Sequence, residues 1–167
     1  MSVEGRVDSE NLEATTNVIV RTMREEDLDA VVIIDAASTG RHRPNYFRRM
    51  LERTVKEADF QISLVAEIDG IVAGCIIATL YYGEYGVMEP AASIDAIGVL
   101  EAFRRQHVGQ ALMRQLRLNL SGLRIETIRT EVLWDDFELL RFFKSEGFAP
   151  GTRICLERVI DPTKPES

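Results

Sequence analysis

The segment most informative about the fold is IGVLEAFRRQHVGQALM, residues 97–113, where the sequence predicts that an apolar strand meets an amphipathic helix. From Val108 onward, apolar residues recur at intervals of four, which predicts a helix that begins at about residue 107. A helix N-terminus leaves several backbone N–H groups unpaired and carries a partial positive charge. Because Arg104 and Arg105 add fixed positive charge beside it, this junction predicts a receptor for phosphate oxygens.

The remaining segments predict a mixed α/β fold. Periodicity and turn signals predict, in chain order, a strand at 18–21, helices at 23–38 and 45–58, a hairpin at 60–82 turning at Asp69-Gly70, a strand at 91–100, a helix from about 107 to Gly122, a strand at 125–134, a helix at 135–147 and a strand at 152–160. The order is β-α-α-β-β-β-α-β-α-β, a mixed, mostly antiparallel sheet of about six strands flanked by four helices. We expect a single domain over 18–160, a disordered tail at 1–17 and a loose tail at 161–167.

Composition limits the partners. The formal net charge of −7 argues against a nucleic-acid-binding surface, which needs a dominant basic field. No apolar run approaches the roughly 20 residues of a membrane span, and the N-terminus is polar, so we expect no membrane partner and a cytoplasmic location. Cys75 and Cys155 lie in apolar stretches and lack a disulfide framework, so both are expected to be buried free thiols. His42 and His107, the two histidines, have no Cys or His nearby, so no metal site is expected.

The junction resembles the GNAT superfamily of N-acetyltransferases, and the resemblance extends over roughly residues 18–159. In that family a strand is followed by Arg/Gln-x-x-Gly-x-Gly/Ala and a helix. Arg104 and Gly109 match this pattern, and His107 occupies the position of the first glycine. We expect an α-like backbone at His107, because residues other than glycine disfavour positive φ.

A second family pattern, Asn-x-x-Ala-x-x-Phe-Tyr-x-x-x-Gly-Phe, is similar to residues 136–148. Phe142 and the closing Gly147-Phe148 match it, whereas Asp136 and Phe143 depart from it. The family tyrosine that protonates the departing thiolate corresponds to Phe143, which has no proton to give. Tyr81, Tyr82 and Tyr85 are the alternative proton donors.

The resemblance implies acetyl-CoA as the cofactor. Its pyrophosphate would lie at the strand-to-helix junction, and its pantetheine arm would lie where the strand at 92–100 separates from the strand at 125–133. The residues implied to bind it are Ile97, Gly98, Val99, Arg104, Arg105, Gln106, His107, Val108, Gly109, Gln110, Asp136 and Phe143. Ile97 and Val99 would act through exposed backbone groups.

The candidate general base follows from strand alternation, which predicts that Ser93, Asp95, Ile97 and Val99 share one face. A family glutamate is often found where Ser93 stands. Asp95 would take over its role by ordering a water that accepts the amine proton. The alternative for Asp95 is a partly solvated carboxylate bonded to a neighbouring loop.

Substrate contacts are expected, by the resemblance, from segments 39–47 and 81–90 and from two further acidic residues. The candidates are Asp35, Arg43, Tyr46, Tyr82, Glu84 and Glu131, and Asp35 and Glu131 are also lesser candidates for the base. Asp35 falls on the apolar face of its helix, so it needs a partner, either an arginine of 41–43 or the substrate ammonium.

Two functions therefore fit the sequence. The first is an acetyl-CoA-dependent N-acetyltransferase acting on a primary amine of a small molecule or peptide by direct attack on the thioester. The second is a catalytically silent acyl-CoA-binding sensor or regulatory module, which His107 and Phe143 favour. The sequence leaves the oligomeric state open, a homodimer included.

Overall fold

The computed structural model describes residues 17–52, 62–82, 89–160 and 163. Its strands and helices are β1 (Ile19–Thr22), α1 (Leu28–Thr39), α2 (Pro44–Glu52), β2 (Leu64–Ile68), β3 (Ile71–Tyr81), β4 (Ala91–Val99), α3 (Val108–Gly122), β5 (Thr127–Thr130) and α4 (Phe137–Ser145). Short 3-10 turns at Glu25–Asp27 and Glu101–Phe103 precede α1 and α3. The predicted α/β class is confirmed. Apart from residue 17 and Thr163, the predicted tails lie outside the described residues.

Within the described residues, five strands form one sheet in the order β1-β2-β3-β4-β5. The first three pairings are antiparallel, and β4 pairs with β5 in parallel. Asp69 and Gly70 have φ of 51° and 78°, and two positive values suit the predicted type I′ turn. The hairpin prediction is confirmed.

Helices cover both faces of this sheet. Cys75 and Ile77 of β3 lie on the face that packs against α1 and α2, in a buried cluster with Met23, Val31, Val32, Ile34, Phe47, Leu51 and Val65. The opposite face packs against α3, because a Cβ atom built on Gly74 would lie 2.8 Å from Val108 Cγ1. The predicted inner side of α3 is confirmed, since its residues spaced by four, Val108, Leu112, Leu116 and Leu120, are all buried.

The first helix begins later than predicted, and only part of the predicted second helix can be compared. The first helix ends as predicted before Gly40, but its expected first turn is a 3-10 turn, so α1 begins at Leu28. The second helix buries Phe47 and Leu51 as expected, and the part predicted beyond Glu52 lies outside the described residues.

The chain divides into two compact units, residues 1–131 and 132–167. In the second unit, the Asp136 side chain caps α4 by accepting the Leu139 N–H at 3.0 Å. Phe143 is buried there, with its ring 4.9 Å from that of Phe148. The single-domain interpretation stays a prediction.

The strand predicted at 152–160 is wrong, since this segment contains no regular structure. Ile154, Leu156 and Val159 are 86%, 89% and 95% exposed. A strand exists only with a hydrogen-bonded neighbour, and the described residues of this segment form no ladder. The described sheet accordingly has five strands rather than about six.

Candidate functional site

Pairing between β4 and β5 ends part-way along β4, and we call the edge of β4 beyond this point the gap. The two strands pair from Ala91 opposite Thr127 to Ile94 opposite Thr130, and the Thr130 hydroxyl donates to the Ile94 carbonyl at 3.1 Å. β4 continues to Val99, whereas β5 ends at Thr130. β4 therefore continues beyond Ile94 without β5 beside it, and the splayed strands that the resemblance implied stay a prediction.

The backbone beside the gap is oriented by the pairing of β4 with β3. Leu100 donates its N–H to the Ala73 carbonyl at 2.9 Å, so the backbone groups of Leu100 point toward β3. Hydrogen-bonded and non-bonded pairs alternate along antiparallel strands, so Gly98 also points toward β3. Ile97 and Val99 consequently direct their N–H and C=O groups to the side on which β5 pairing has ended. These are the backbone groups that the resemblance selected.

Asp95 occupies a bulge in β4. The register between β3 and β4 runs from Ile77 opposite Ala96 directly to Ala78 opposite Ile94, so Asp95 is the extra residue. Bulges are common next to active sites, where they redirect a side chain.

This bulge overturns the predicted common face. Ser93 lies opposite Thr79, and the Thr79 hydroxyl donates to Asp95 Oδ2 at 2.6 Å, so Ser93, Thr79 and Asp95 lie on one face. Ile97 and Val99 lie opposite Ile76 and Gly74, which point to the other face. The inserted residue shifts the alternation, and simple counting along the strand therefore fails beyond Asp95.

The loop before α3 has an unusual backbone. Arg105 and His107 have φ of 62° and 60°, so both are left-handed. The α-like backbone expected at His107 is wrong. Histidine tolerates this region better than most residues with a side chain, and the His107 ring shares a hydrogen bond with the Gln110 side chain. Strained backbone of this kind concentrates at ligand clamps.

The charge and donors of this loop fit a pyrophosphate. Arg104 and Arg105 are exposed beside the first turn of α3, whose N–H groups lack carbonyl partners within the helix. Gln106 donates its side-chain amide to the Ala102 carbonyl at 3.1 Å, which fixes the loop onto the preceding turn. Left-handed turns that expose successive backbone N–H groups form anion-binding concavities.

Asp35 has the partner that its buried position required. Arg43 binds it through two hydrogen bonds, Nε to Oδ2 at 3.0 Å and Nη2 to Oδ1 at 2.6 Å. The bond to Asp35 raises the pKa of Arg43 more than burial lowers it. Of the two predicted partners, the arginine is the one observed. The guanidinium also lies 5.0 Å from the Tyr46 ring centroid and 5.6 Å from that of Phe47.

A family model described as an acetyltransferase (GNAT) domain matches residues 59–150. This chain belongs to the GNAT acetyltransferase family. The family is one of N-acetyltransferases, acyltransferases that use acetyl-CoA as the cofactor. A comparison with curated proteins gives no match.

Solved structures of GNAT-like architecture share the fold. Ard1 from Thermoplasma volcanium is 26% identical with a TM-score of 0.67, over 79% of this chain and 82% of that one. The aminoglycoside 6'-N-acetyltransferase AAC(6')-Ih from Acinetobacter baumannii is 15% identical with a TM-score of 0.72, over 87% and 99%. A transcriptional regulator from Bacillus halodurans C-125 is 20% identical with a TM-score of 0.72, over 86% and 100%.

The other candidate residues of this GNAT chain are placed as follows. Tyr82 follows β3 and is 67% exposed, and Tyr46 on α2 is 45% exposed. Glu131 is exposed and directly follows Thr130, where the pairing of β4 with β5 ends. Glu84 lies outside the described residues, as does Tyr85. Asp136 and Phe143 belong to the second unit, and their roles toward the cofactor stay predictions.

Two polar residues, one in β3 and one directly before β2, were not predicted from the sequence. Thr79 holds Asp95, and Ser63 bridges the backbone of Ala78 beside the bulge, accepting its N–H at 3.1 Å and donating to its carbonyl at 3.3 Å. A threonine and a serine near strands are ordinary in sequence. Only the pairing register of β3 with β4 reveals that they lie beside the bulge at Asp95.

Both cysteines are free thiols as predicted, and Cys75 is buried as expected. The burial expected for Cys155 is wrong: Cys155 is exposed, because its segment forms no strand that would pack an apolar face against a core. In the described ranges, no cluster of three or more His, Cys, Asp or Glu side chains is arranged to hold a metal ion. The described helices include none with the length and hydropathy to span a membrane.

Proposed function

We propose that this GNAT chain transfers the acetyl group of acetyl-CoA to a primary amine by direct attack of the amine on the thioester, in the gap beside β4. The observation that carries the proposal is the early end of pairing at Ile94 and Thr130, while β4 runs on to Val99. The left-handed loop at Arg105 and His107 supports it, because it follows the same strand.

The chain's own groups have distinct tasks in this proposal. Coenzyme A supplies the acetyl group as a thioester. The backbone of Ile97 and Val99 binds the pantetheine arm, and one N–H of this pair donates to the carbonyl oxygen as negative charge develops on it. The residues of the phosphate-binding segment are Arg104, Arg105, Gln106, His107, Val108, Gly109 and Gln110, which act through backbone N–H groups and two guanidinium groups.

Asp95 is the proposed general base. Its carboxylate is exposed, and the Thr79 hydroxyl fixes one of its oxygens at 2.6 Å. A carboxylate held in this way can order a water that accepts the proton of the attacking amine. Ser93 lies on the same face and is the second candidate for ordering that water. Tyr82, exposed at the end of β3, is the proposed proton donor to the leaving thiolate.

The proposed substrate is a cationic amine of a small molecule or a peptide. Asp95 and Glu131 place two exposed carboxylates where the pairing of β4 with β5 ends, which favours a positively charged acceptor. The aminoglycoside acetyltransferase from Acinetobacter baumannii shares the fold, so aminoglycosides belong in the substrate panel. A cytoplasmic location and a homodimer stay predictions.

A catalytically silent acyl-CoA sensor is the second candidate. It is favoured by Phe143, which occupies the position of the family's proton-donating tyrosine and is buried in an aromatic cluster. The Bacillus halodurans structure that shares the fold is a transcriptional regulator. The two candidates differ in one measurable outcome, the release of free thiol.

The test is thiol release from acetyl-CoA across a panel of amino acids, polyamines, aminoglycosides and peptide N-termini, together with calorimetric binding of coenzyme A. We expect thiol release with at least one amine and its loss in Asp95→Asn. Binding without thiol release across the panel would support the sensor. No heat of association with coenzyme A would contradict both candidates.

The anion-binding loop has a matched control on the same helix. Arg104→Glu should weaken coenzyme A binding about tenfold or more, because it replaces a charge-assisted contact by repulsion. Arg114→Glu makes the same charge change at an exposed position farther along α3 and should leave binding within about twofold, because surface charges this far apart are screened. Equal effects of the two substitutions would show that only the total charge matters.

A further inference from the structure

We propose that the Asp35–Arg43 ion pair is a positioning unit that holds the C-terminal half of α1 against the part of β4 that borders the gap. Its task is to fix the backbone of Ile97 and Val99, and neither Asp35 nor Arg43 touches the cofactor. This inference rests on the proposed function, since it assumes that coenzyme A binds in that gap.

The contact between α1 and β4 is made at Gly98. A Cβ atom built on Gly98 would lie 2.6 Å from Ile34 Cγ2 and 3.4 Å from Ser38 Oγ. α1 therefore rests directly on the main chain between Ile97 and Val99. Any movement of this part of α1 changes the support of the two residues whose backbone groups face the gap.

Asp35 follows Ile34 in this part of α1, and Arg43 reaches back to it from the connection to α2. The Asp35 side chain is 8% exposed and that of Arg43 is 35% exposed. The guanidinium lies over the rings of Tyr46 and Phe47 at cation–π distance, so it contacts α2 as well as α1. The pair thus links the end of α1 to the start of α2.

The connection between the two helices is itself tied down. Thr39 Oγ1 donates to the Asp35 carbonyl at 2.9 Å and accepts the Arg41 N–H at 3.3 Å. Gly40, at φ 68°, donates its N–H to the Ala36 carbonyl at 2.9 Å. These bonds turn the chain so that Arg43 lies beside α1, where two N–H groups of its guanidinium bind the Asp35 carboxylate.

Removal of the guanidinium would leave a buried carboxylate without a charged partner, which is strongly unfavourable. The molecule can relieve this by turning the end of α1 so that Asp35 reaches water. The same turn would take Ile34 and Ser38 off Gly98. We therefore expect coenzyme A binding to weaken beyond what the loss of global stability explains.

The chain offers a matched control at the other end of the same helix. Arg21 binds Asp27, just before α1, with Nη1 to Oδ2 and Nη2 to Oδ1 both at 2.8 Å. The Asp27 side chain is 4% exposed, so this pair is also buried and bidentate. It differs from the Asp35–Arg43 pair in its distance along α1 from the contact with Gly98, and also in that Arg21 donates to Glu67 Oε1 at 2.8 Å.

The experiment compares Arg43→Met with Arg21→Met. Coenzyme A affinity is measured by calorimetry at a temperature at which each variant is folded, and unfolding free energy is measured by urea denaturation. We expect both variants to lose stability, but only Arg43→Met to bind coenzyme A about tenfold or more weakly, as small misplacements of a binding group can cause. Arg43→Lys, which keeps one charged contact, should be intermediate and is the variant used if Arg43→Met does not fold.

Hydrogen exchange of the peptide containing Gly98 and Val99 gives a second readout without ligand. It should become faster in Arg43→Met and stay unchanged in Arg21→Met. Wild-type affinity and exchange in Arg43→Met, or in Arg43→Lys if that variant is used, would overturn the positioning role alone, as would equal losses of affinity in the two methionine variants. Failure of the wild-type chain to bind coenzyme A would instead overturn the proposed function.

Discussion

His107 is one of four described residues other than glycine with a positive φ, and its φ of 60° lies directly before the first residue of α3. Glycine adopts this backbone without cost, whereas a β-branched side chain suits it least. We predict that His107→Val loses about 1–2 kcal/mol of unfolding free energy, the cost of a left-handed residue, and weakens coenzyme A binding. His107→Gly should keep both. Urea denaturation and calorimetry measure the two effects, and equal stability of the variants would contradict the left-handed requirement.

The two cysteines should differ in reactivity. Burial, aided by the charges of Asp35 and Asp27, raises the pKa of Cys75 to about 12, whereas Cys155 is exposed. At pH 8 the buried thiol is neutral as well as inaccessible, and the thiolate is the reactive form. We predict one iodoacetamide adduct on the folded chain, at Cys155, and two in urea, measured by mass spectrometry. Alkylation of Cys75 in the folded chain would show that the sheet opens at β3.

Between elements, the closest approach of α1 to β4 can be tested at Gly98. A methyl group there would meet Ile34 Cγ2 at 2.6 Å, whereas one on Gly122 would meet nothing within 4 Å. We predict that Gly98→Ala costs about 1–3 kcal/mol of unfolding free energy, as overpacking does. Gly122→Ala is the control and should be neutral or slightly stabilising, because alanine favours a helix. Combining Gly98→Ala with Ile34→Ala should give less than the sum of the single losses.

The elements that depend on local chemistry could be predicted from the sequence. Apolar residues spaced by four define α3, and Asp69-Gly70 defines the hairpin turn, because neither signal needs a distant partner. The bulge at Asp95 and the missing strand at 152–160 could not be predicted in this way. Both depend on which strand lies alongside, and that is decided by the whole sheet.

The candidate site also contains features that local sequence predicts and features that it does not. The need of Asp35 for a partner follows from helix periodicity alone, and an arginine from 41–43 was correctly among the predicted partners. The left-handed backbone at His107 could not be predicted, because a residue other than glycine disfavours positive φ when it is considered by itself. It is imposed by the closure of the loop onto α3, which sequence reasoning at one position does not reveal.

At the scale of the whole molecule, the family could be recognised although its motifs are incomplete. Arg104 and Gly109 match the first motif, and His107 departs from it. The order of elements around this junction restricts the fold more strongly than any one residue does, because a strand, a loop and a helix must follow one another in a fixed sequence. The described structure contains this strand, loop and helix in the predicted order, as β4, residues 100–107 and α3.

Global stability should respond to pH through Asp27. Burial raises the pKa of Asp27. The hydrogen bonds from Arg21 and from the Arg24 N–H together lower it by more than burial raises it, so the pKa lies below the ordinary 3.8. A carboxyl with a depressed folded-state pKa stabilises the fold above its unfolded pKa, and this contribution is lost as pH falls through the folded value. We predict that the stability difference between wild type and Asp27→Asn is constant from about pH 7 to 5 and shrinks below about 3.8. Urea denaturation across this range measures it, with exposed Glu26→Gln as the control, and a difference that persists unchanged at pH 3 would contradict the ionic role of the pair.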